Sequence, residues 1–286
     1  MYAQIVLFDG FDPLDVVAPF EVLAAGGALA GSTQASATRA GATQAGATQA
    51  GATQAGATQA GATQAGATQA GATQAGATQA GATQAGGVLV GGVQARSVHC
   101  GALEVRLVSA EGARRVVSGT LGLALEATAV LDPDLPGYVV VPGASGPIAG
   151  DPELVDTIPV LLARVGDTAL PGLIGKAMAR PDVTVATVCG GSLALAMAGL
   201  LEGRTAVTHA QGMDVLEATG VTVVDARVVD DGDLVSAAGV TSGLDLGLHL
   251  LERSFGPRVA HAVEQLFQYE RRGIVWRNAG LEPVAA

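Results

Sequence analysis

Cysteine and charged residues are both scarce in this 286-residue sequence. The two cysteines, Cys100 and Cys189, are too few for a disulfide framework and form no C-x-x-C pair, which is typical of a reducing compartment. Charged residues make up 14% of the chain and apolar residues 49%, a composition that excludes an intrinsically disordered protein.

Positive charge is the scarcer sign. The chain has 15 Lys and Arg residues against 26 Asp and Glu residues, which gives a formal net charge of −11. It contains no run of basic residues and no zinc-ligand spacing. This balance disfavours nucleic acids and anionic membrane surfaces as partners.

Signals for export and membrane insertion are also missing from the sequence. The N-terminal segment MYAQIVLFDG has no basic region and reads directly as a strand, which argues against a signal peptide. No apolar stretch free of charges and turn residues reaches the ~18 residues that a membrane helix requires. We therefore expect a cytoplasmic protein with no membrane partner.

The most conspicuous feature that is present is a repeat. Residues 31–95 divide into thirteen pentads, and nine of them, from Gly41 to Ala85, are identical copies of GATQA. This pentad has no large apolar residue, so stacked copies in an ordered solenoid would bury too little surface to offset the ordering entropy. We therefore expect a single domain over residues 1–286, in which residues 29–98 form a flexible insertion.

Outside the repeat, predicted strands and helices alternate. The predicted strands are Gln4–Phe8, Leu103–Ser109, Tyr138–Gly143, Val183–Val188, Thr205–Thr208, Val221–Val224 and Leu234–Ala237, and Val116–Val117 with Leu123–Glu126 predict a small hairpin or an edge piece. The predicted helices are Val16–Ala25, Glu153–Val165, Leu173–Ala179, Ser192–Leu201, Met213–Ala218, Leu244–Arg253 and Arg258–Arg271. This alternation predicts an α/β fold with a mainly parallel sheet that is covered on both faces.

The predicted sheet brings three loops together. Functional groups of parallel sheets gather beyond the carboxyl ends of the strands. The loops Asp9–Asp15, Gly143–Pro147 and Cys189–Gly191 each follow a predicted strand, so we expect them to meet there.

One of these loops carries a cysteine at a corner between strand and helix. Cys189 follows the β-branched run Val183–Val188 and precedes Gly190 and Gly191, which open an Ala-rich helical run. The helix N-terminus would direct backbone N–H groups at the sulfur and favour its thiolate, the nucleophilic form. The same N–H groups could hold a developing negative charge. Alternatively, Cys189 is a small buried hydrophobic residue at a crowded corner.

Two other glycine-containing segments do not match nucleotide-binding motifs. The segment CGGSLALAMAG lacks the G-x-G-x-x-G spacing of dinucleotide sites. PGLIGKAMAR contains the pair Gly175 and Lys176, but Leu170, just before this segment, stands at the first glycine position of a P-loop, and Ala177 stands where Ser or Thr would bind magnesium. We therefore expect no cofactor, and we expect no bound metal.

Four segments resemble the ThiJ/PfpI superfamily, and most closely its isonitrile hydratase branch. TVCGGSLALAMAGLLEGRTAVTH resembles the nucleophile elbow, and VLFDGFDPLDVVAPFEVL resembles the first strand and its acid-bearing turn. YVVVPGASGP resembles the Pro-Gly-Gly turn, and LVSAAGVTSGLDLGLHLLERSFG resembles the late strand and helix. The resemblance implies a class I glutamine amidotransferase-like fold, which is a flavodoxin-like three-layer sandwich, here interrupted by the low-complexity insertion.

The resemblance also implies a pair of reacting groups. Cys189 would be the nucleophile, and Asp15 would be the carboxylate that faces it. A carboxylate beside a thiol raises both pKa values unless the two share a proton, so we interpret Asp15 as the acid/base that moves a proton during attack. Alternatively, Asp15 is the N-cap of a helix that begins at Val16, a role compatible with the first. We interpret Asp9 and Asp12 as turn residues.

Further site residues follow from the same resemblance. The backbone N–H groups of Ala144 and Gly190 are the candidate anion hole, and Gly143 precedes Ala144 in the turn that matches Pro-Gly-Gly. His209 corresponds to a histidine near the pocket, where a structural role is at least as plausible as a catalytic one.

The sequence departs from the family pattern directly after the cysteine. Isonitrile hydratases usually have a threonine there that takes part in catalysis, and this chain has Gly190. Proteases and amidases of the superfamily have a histidine at that position, so its absence argues against a Cys-His peptidase.

The resemblance implies a cofactor-independent enzyme that hydrates an isocyanide to an N-substituted formamide through a Cys189 thioimidate, as a homodimer acting on a small molecule. Two alternatives stay open. One is a non-catalytic redox or ligand sensor that uses Cys189. The other is a glyoxalase or deglycase that acts on α-oxoaldehydes.

Overall fold

The computed structural model describes residues 1–50, 98–100, 102–151 and 156–281. One compact unit is formed by Met1–Ser32 and Ala95–Ala286, and Thr33–Gln94 cluster as a second unit. Most of the predicted insertion, residues 51–97, lies outside the described residues. Its flexibility therefore stays a prediction.

The described residues form thirteen strands and seven α-helices. The strands are β1 Tyr2–Val6, β2 Val98–Cys100, β3 Leu103–Ser109, β4 Arg114–Val117, β5 Ala124–Ala127, β6 Ala129–Val130, β7 Gly137–Val141, β8 Val183–Val188, β9 Thr205–Ala206, β10 Thr222–Val223, β11 Val228–Asp230, β12 Leu234–Ala237 and β13 Trp276–Arg277. The helices are α1 Pro13–Ala50, α2 Ile158–Val165, α3 Leu170–Met178, α4 Gly191–Met197, α5 Met213–Ala218, α6 Ser242–Phe255 and α7 Pro257–Phe267.

The main sheet has the order β13-β11-β12-β8-β7-β1-β3-β2, with β6 beside β3. The five strands from β12 to β3 run parallel, and antiparallel pairs occur at β11–β12 and β2–β3. All residues of β7 are buried, as expected for a strand covered on both faces. The prediction of an α/β fold with a mainly parallel sheet is confirmed, and β4 and β5 form the predicted hairpin.

Helix α1 differs from the prediction at both ends. It begins at Pro13 rather than Val16, because the Asp12 carboxylate accepts the Leu14 N–H at 2.8 Å and caps the helix, with Pro13 at its first position. The N-cap is therefore Asp12, and the N-cap role considered for Asp15 is wrong. The helix continues past the predicted end at Ala25 to Ala50.

Helix α1 also contains a stretch with the length and composition of a membrane span. Within the described residues, Pro13–Gly31 is a 19-residue segment with a mean hydropathy of 1.4, and α2 and α3 qualify only together, as a pair bent by 65°. Half of the α1 stretch is buried inside the protein. A Cβ on Gly247 of α6 would lie 2.8 Å from Val22 of α1. This close contact between helices is typical of a core helix.

Candidate active site

The candidate site lies where four adjacent parallel strands end. Asp15 follows β1, Gly143 follows β7, Cys189 follows β8 and Val240 follows β12. Since these strands are neighbours in the order β12-β8-β7-β1, the loops after them meet at one edge of the sheet. The sequence predicted the first three loops, and the loop that carries Val240 was missed.

The backbone at Cys189 forms a strained elbow. Its φ of 55° lies in the left-handed region, which non-glycine residues rarely adopt. Its N–H donates to the carbonyls of Ala237 and Ala238 at 3.0 and 2.9 Å, and its carbonyl accepts the Thr208 hydroxyl at 2.7 Å. A Cβ on Gly191 would lie 2.3 Å from the Val141 carbonyl oxygen, so only glycine fits there. These contacts hold the elbow in its left-handed conformation.

The Asp15 carboxyl group is fully buried and has an asymmetric environment. Its Oδ2 accepts the Gly143 N–H at 2.9 Å, whereas its Oδ1 has no hydrogen-bond partner among the described residues. A Cβ on Gly143 would lie 2.6 Å from the Gly190 nitrogen and 2.9 Å from Asp15 Oδ2. The absence of a side chain at Gly143 therefore allows the carboxyl group and the elbow to approach each other.

Burial controls the protonation of both groups. It raises the pKa of Asp15 to about 8; the negative charge of Asp12 raises it further, while hydrogen bonds from the Gly143 N–H and the Cys189 thiol oppose the shift. Burial also raises the pKa of Cys189 to about 12, with a second contribution from the charge of Asp15, against the N–H groups of Gly190 and Val240. At neutral pH, therefore, both groups retain their protons.

The expectation of a resting thiolate at Cys189 is therefore wrong. Hydrogen bonds from the N–H groups of Gly190 and Val240 do favour the anion, as the helix N-terminus suggested. Their effect is smaller than that of burial, which favours the neutral thiol, and the charge of Asp15 adds to the effect of burial once Asp15 is ionised.

Cys189 opens into a mainly apolar pocket of about 350 Å³. The thiol residue is partly exposed there rather than enclosed in the core. Most of the lining is aliphatic, and it includes Ile148, Ile158, Pro159, Leu162, Leu193, Met197, Val215 and Val240. The polar lining residues are Asp12, Ser145, His209 and Gln211. Such a pocket fits a small molecule with an apolar body.

The structure separates the predicted binding residues into two groups. Ala144, Gly190 and His209 line the pocket together with Cys189. The Gly143 N–H, by contrast, donates to Asp15, so it is unavailable to a substrate anion, and the substrate-binding role predicted for Gly143 is replaced by a positioning role.

His209 has a structural role that the structure makes explicit. Its Nδ1 accepts the Gln211 N–H at 3.3 Å and caps the short 3-10 helix Ala210–Gly212. A Cβ on Gly239 would lie 2.7 Å from the His209 ring, so the imidazole also packs against the loop after β12. The ring thereby forms one wall of the pocket.

The position that follows Cys189 is crowded by a leucine side chain. Gly190 has a φ of −66°, which any residue adopts, so its backbone does not require glycine. A Cβ there would, however, lie 2.9 Å from Cδ1 of Leu162, which is buried on α2. Leu162 therefore occupies the space that a threonine at this position would need.

We expect Gly190→Thr to destabilise the protein by about 1–3 kcal/mol, because it overpacks the site against Leu162. Leu162→Ala removes the obstructing methyl groups, so the double variant should be more stable than the sum of the two single changes predicts, by about 1 kcal/mol or more. Urea unfolding of the wild type, both single variants and the double variant measures this coupling. Additive effects would show that Leu162 does not exclude the threonine.

A second, larger cleft lies beside the candidate site. It has a volume of about 550 Å³ and shares Ser145 and Gly146 with the pocket, but Cys189 does not line it. Its two cations are already paired, Arg114 with Asp9 and Glu111, and Arg164 with Asp156. The cleft therefore offers no unpaired cation to an anionic ligand among the residues that line it.

Sequence reasoning missed Val240 and Leu162. Val240 supplies an N–H to the thiol, and its position just after the predicted strand Leu234–Ala237 was the available signal. Nothing local marks Leu162, since its contact with Gly190 is formed only by tertiary packing. Within the part of the chain that the structure describes, no three His, Cys, Asp or Glu residues are grouped as metal ligands.

The sequence is similar to proteins of known function over part of its length. Isonitrile hydratase from Pseudomonas putida is 32% identical over 157 residues, which are 54% of this chain and 61% of that enzyme. The HTH-type transcriptional regulator CdhR from Pseudomonas aeruginosa is 34% identical over 90 residues, which are 31% of this chain and 27% of the regulator. The alignments thus span less than two thirds of either relative.

A solved structure supports the fold over a longer part of the chain. A ThiJ/PfpI family protein from Pseudomonas syringae superposes with a TM-score of 0.59 at 19% identity, covering 98% of this chain and 78% of that one. This likeness confirms the flavodoxin-like α/β fold. The sequence model of the DJ-1/PfpI family matches residues 163–253, a range that contains the Cys189 elbow and most of α6. Over residues 163–253 the chain is therefore similar to the DJ-1/PfpI family.

Proposed function

We propose that this protein is a cofactor-independent cysteine-nucleophile enzyme, a lyase similar to isonitrile hydratase that converts an isocyanide to an N-substituted formamide. The observation that carries the proposal is the pairing of the Cys189 thiol, which lines an apolar pocket, with the buried Asp15 carboxyl group behind it in the protein. The similarity to isonitrile hydratase from Pseudomonas putida supports the choice of reaction.

The first step forms a carbon–sulfur bond. As the Cys189 sulfur attacks the terminal carbon of R–NC, the thiol proton passes to one Asp15 oxygen while the carboxyl group delivers its own proton to that carbon. The product is the thioimidate R–N=CH–S–Cys189. An Asp15 carboxyl group with a pKa of about 8 carries the required proton at neutral pH.

The second step releases the enzyme. Water adds to the thioimidate carbon while its nitrogen gains a proton, and the carbon–sulfur bond then breaks to give R–NH–CHO and the free thiol. Asp15 delivers its proton to the nitrogen as it takes one from the attacking water, and it then relays the proton of the new hydroxyl group to the departing sulfur. One isocyanide and one water thus give one formamide, and no external oxidant or reductant is needed.

The pocket favours this substrate class. An isocyanide is neutral and, apart from its reactive carbon, as apolar as its R group, which matches the aliphatic walls around Cys189. We further propose that the protein acts on a small molecule as a cytoplasmic homodimer, with neither nucleic acid nor membrane as a partner. Light scattering of the purified chain tests the dimer.

The function is tested by incubating the purified full chain with a panel of alkyl and aryl isocyanides, α-oxoaldehydes and small amides. We expect formation of the N-substituted formamide from at least one isocyanide, measured by liquid chromatography with mass spectrometry. Cys100→Ser is the matched control and should retain this activity. If none of the isocyanides gives a formamide, the assignment of isocyanides as substrates is wrong. Turnover of α-oxoaldehydes alone would favour the glyoxalase or deglycase alternative.

Ligand sensing without turnover is the second candidate function. It is favoured by the glycine at position 190, where the isonitrile hydratase branch has a catalytic threonine, and by the similarity to the regulator CdhR. This candidate predicts that a compound from the panel shifts the melting temperature and is recovered unchanged. Enzymatic turnover predicts that the compound is consumed.

A further inference from the structure

Within the described part of the chain, the pocket at Cys189 is lined by a negatively charged residue and by no positively charged one. Among its described lining residues, Asp12 contributes the one carboxylate, and no lysine or arginine is present. The net charge of the chain, −11, has the same sign. An approaching anion therefore meets a negative potential without a compensating cation, whereas a neutral or cationic molecule does not.

Asp12 is held rigidly at this position. Its backbone N–H donates to the Gly143 carbonyl at 2.9 Å, which ties it to the turn that also positions Asp15. Its side chain caps α1 by accepting the Leu14 N–H at 2.8 Å, which fixes the half-buried carboxylate at the pocket wall. A fixed charge in a partly desolvated pocket acts more strongly than a mobile surface charge.

The charge of Asp12 acts on both Asp15 and Cys189. The negative charge of Asp12 raises the pKa of both Asp15 and Cys189. A group whose field acts on the thiol also acts on the substituent of any molecule that binds against the thiol.

We propose that Asp12 determines substrate charge, so that the Cys189 pocket accepts neutral and cationic small molecules and excludes carboxylates, phosphates and other anions. This inference rests on the proposed function in taking the pocket as the substrate site. It narrows the substrate class to isocyanides with a neutral apolar or amine-bearing substituent. Asp12 is a specificity-determining residue, and it takes no part in bond formation.

The test uses thiol reagents that differ in charge and require no turnover. Neutral methyl, cationic trimethylammonioethyl and anionic sulfonatoethyl methanethiosulfonates all react with Cys189 in the same way. The sulfur displaces methanesulfinate, which leaves with the electron pair of the broken bond, and the thiol proton passes to buffer as the mixed disulfide forms. Labelling of Cys189 is followed by peptide mass spectrometry, which separates it from Cys100, and each rate is divided by that of the same reagent with 2-mercaptoethanol.

The variants isolate charge from structure. Asp12→Asn and Asp12→Ser both keep an N-cap side chain for α1 but remove the charge. Asp214→Asn is the matched control, because it removes an exposed carboxylate from the first turn of α5, whose residue Val215 lines the pocket, while Asp214 itself does not. Dividing by the rate of the neutral reagent cancels any change in the reactivity of the thiol.

In the wild type we expect the cationic reagent to react faster, and the anionic reagent slower, than the neutral one. Both Asp12 variants should reduce the cation-to-anion rate ratio about tenfold, with a smaller effect at high salt, and Asp214→Asn should leave it nearly unchanged. An unchanged ratio in both Asp12 variants, or an equal change in Asp214→Asn, would overturn the proposal. Because no isocyanide is used, this result is independent of whether formamide is formed.

Discussion

Formamide production by Cys189→Ser should fall by roughly 10³-fold or more, since the account assigns the carbon–sulfur bond to this sulfur alone. Serine keeps the elbow geometry and can receive the N–H groups of Gly190 and Val240, but its hydroxyl is far less nucleophilic than a thiol. Cys189→Ala should show the same loss. Steady-state kinetics with the best isocyanide of the panel measures the effect.

The wild type should also accumulate a covalent intermediate. Rapid quenching followed by mass spectrometry should show a protein mass increased by one isocyanide, located on the peptide that contains Cys189. Cys100→Ser should retain both the adduct and the turnover. Formamide production that persists in Cys189→Ala would refute the covalent mechanism, even if the substrate assignment is correct.

Asp15→Asn should reduce kcat by about 10²- to 10⁴-fold, the usual range for loss of a general acid/base. The asparagine carbonyl can still accept the Gly143 N–H, so the turn and the pocket should keep their shape. KM should therefore change much less than kcat. A fall in kcat of less than about threefold would show that Asp15 moves no proton in the rate-determining step.

The same substitution should change how stability depends on pH. The pKa of Asp15 is raised from 3.8 to about 8 in the folded protein. Between these values the folded state keeps a proton that the unfolded state releases, so the free energy of unfolding of the wild type falls as pH rises from about 4 to about 8. Above that range this contribution is constant.

Asp15→Asn has no ionisable group at this position and should lose this pH dependence. The free energy of unfolding of the variant minus that of the wild type should therefore be larger at about pH 8 than at about pH 5. Urea unfolding of both proteins at the two pH values measures the difference. An equal pH dependence in the two proteins would show that the folded-state pKa of Asp15 is close to its ordinary value.

The sequence pattern predicts that Cys189 lies at a corner between a strand and a helix, and the structure confirms this position. The run of β-branched residues at Val183–Val188 and the Ala-rich run after Gly191 are strong local signals, and β8 has the predicted bounds. Asp15 was found through resemblance, because a carboxylate in the first turn of a helix looks locally like a cap. The residue that caps the helix is Asp12, which we interpret from the sequence as a turn residue. Either aspartate could cap a helix, and the sequence alone does not show at which residue the helix begins.

Ionisation of the thiol could not be predicted from the same segments. The helix N-terminus that follows Cys189 is visible in the sequence, and it favours the thiolate. The stronger opposing effects come from burial and from Asp15, which is 174 positions away in the chain and approaches only when β1, β7 and β8 pair. The blocking of position 190 by Leu162 is likewise a product of packing.

The central claim is that Asp15 is a neutral, proton-carrying acid at neutral pH in contact with a neutral thiol. Titration of the Asp15 carboxyl carbon by NMR in ¹³C-aspartate-labelled protein, with Asp15→Asn to assign the signal, tests it most directly. We predict a midpoint near the pKa of about 8. A midpoint near 3.8, the value of an ordinary aspartate, would contradict the account, because Asp15 would then have no proton to deliver.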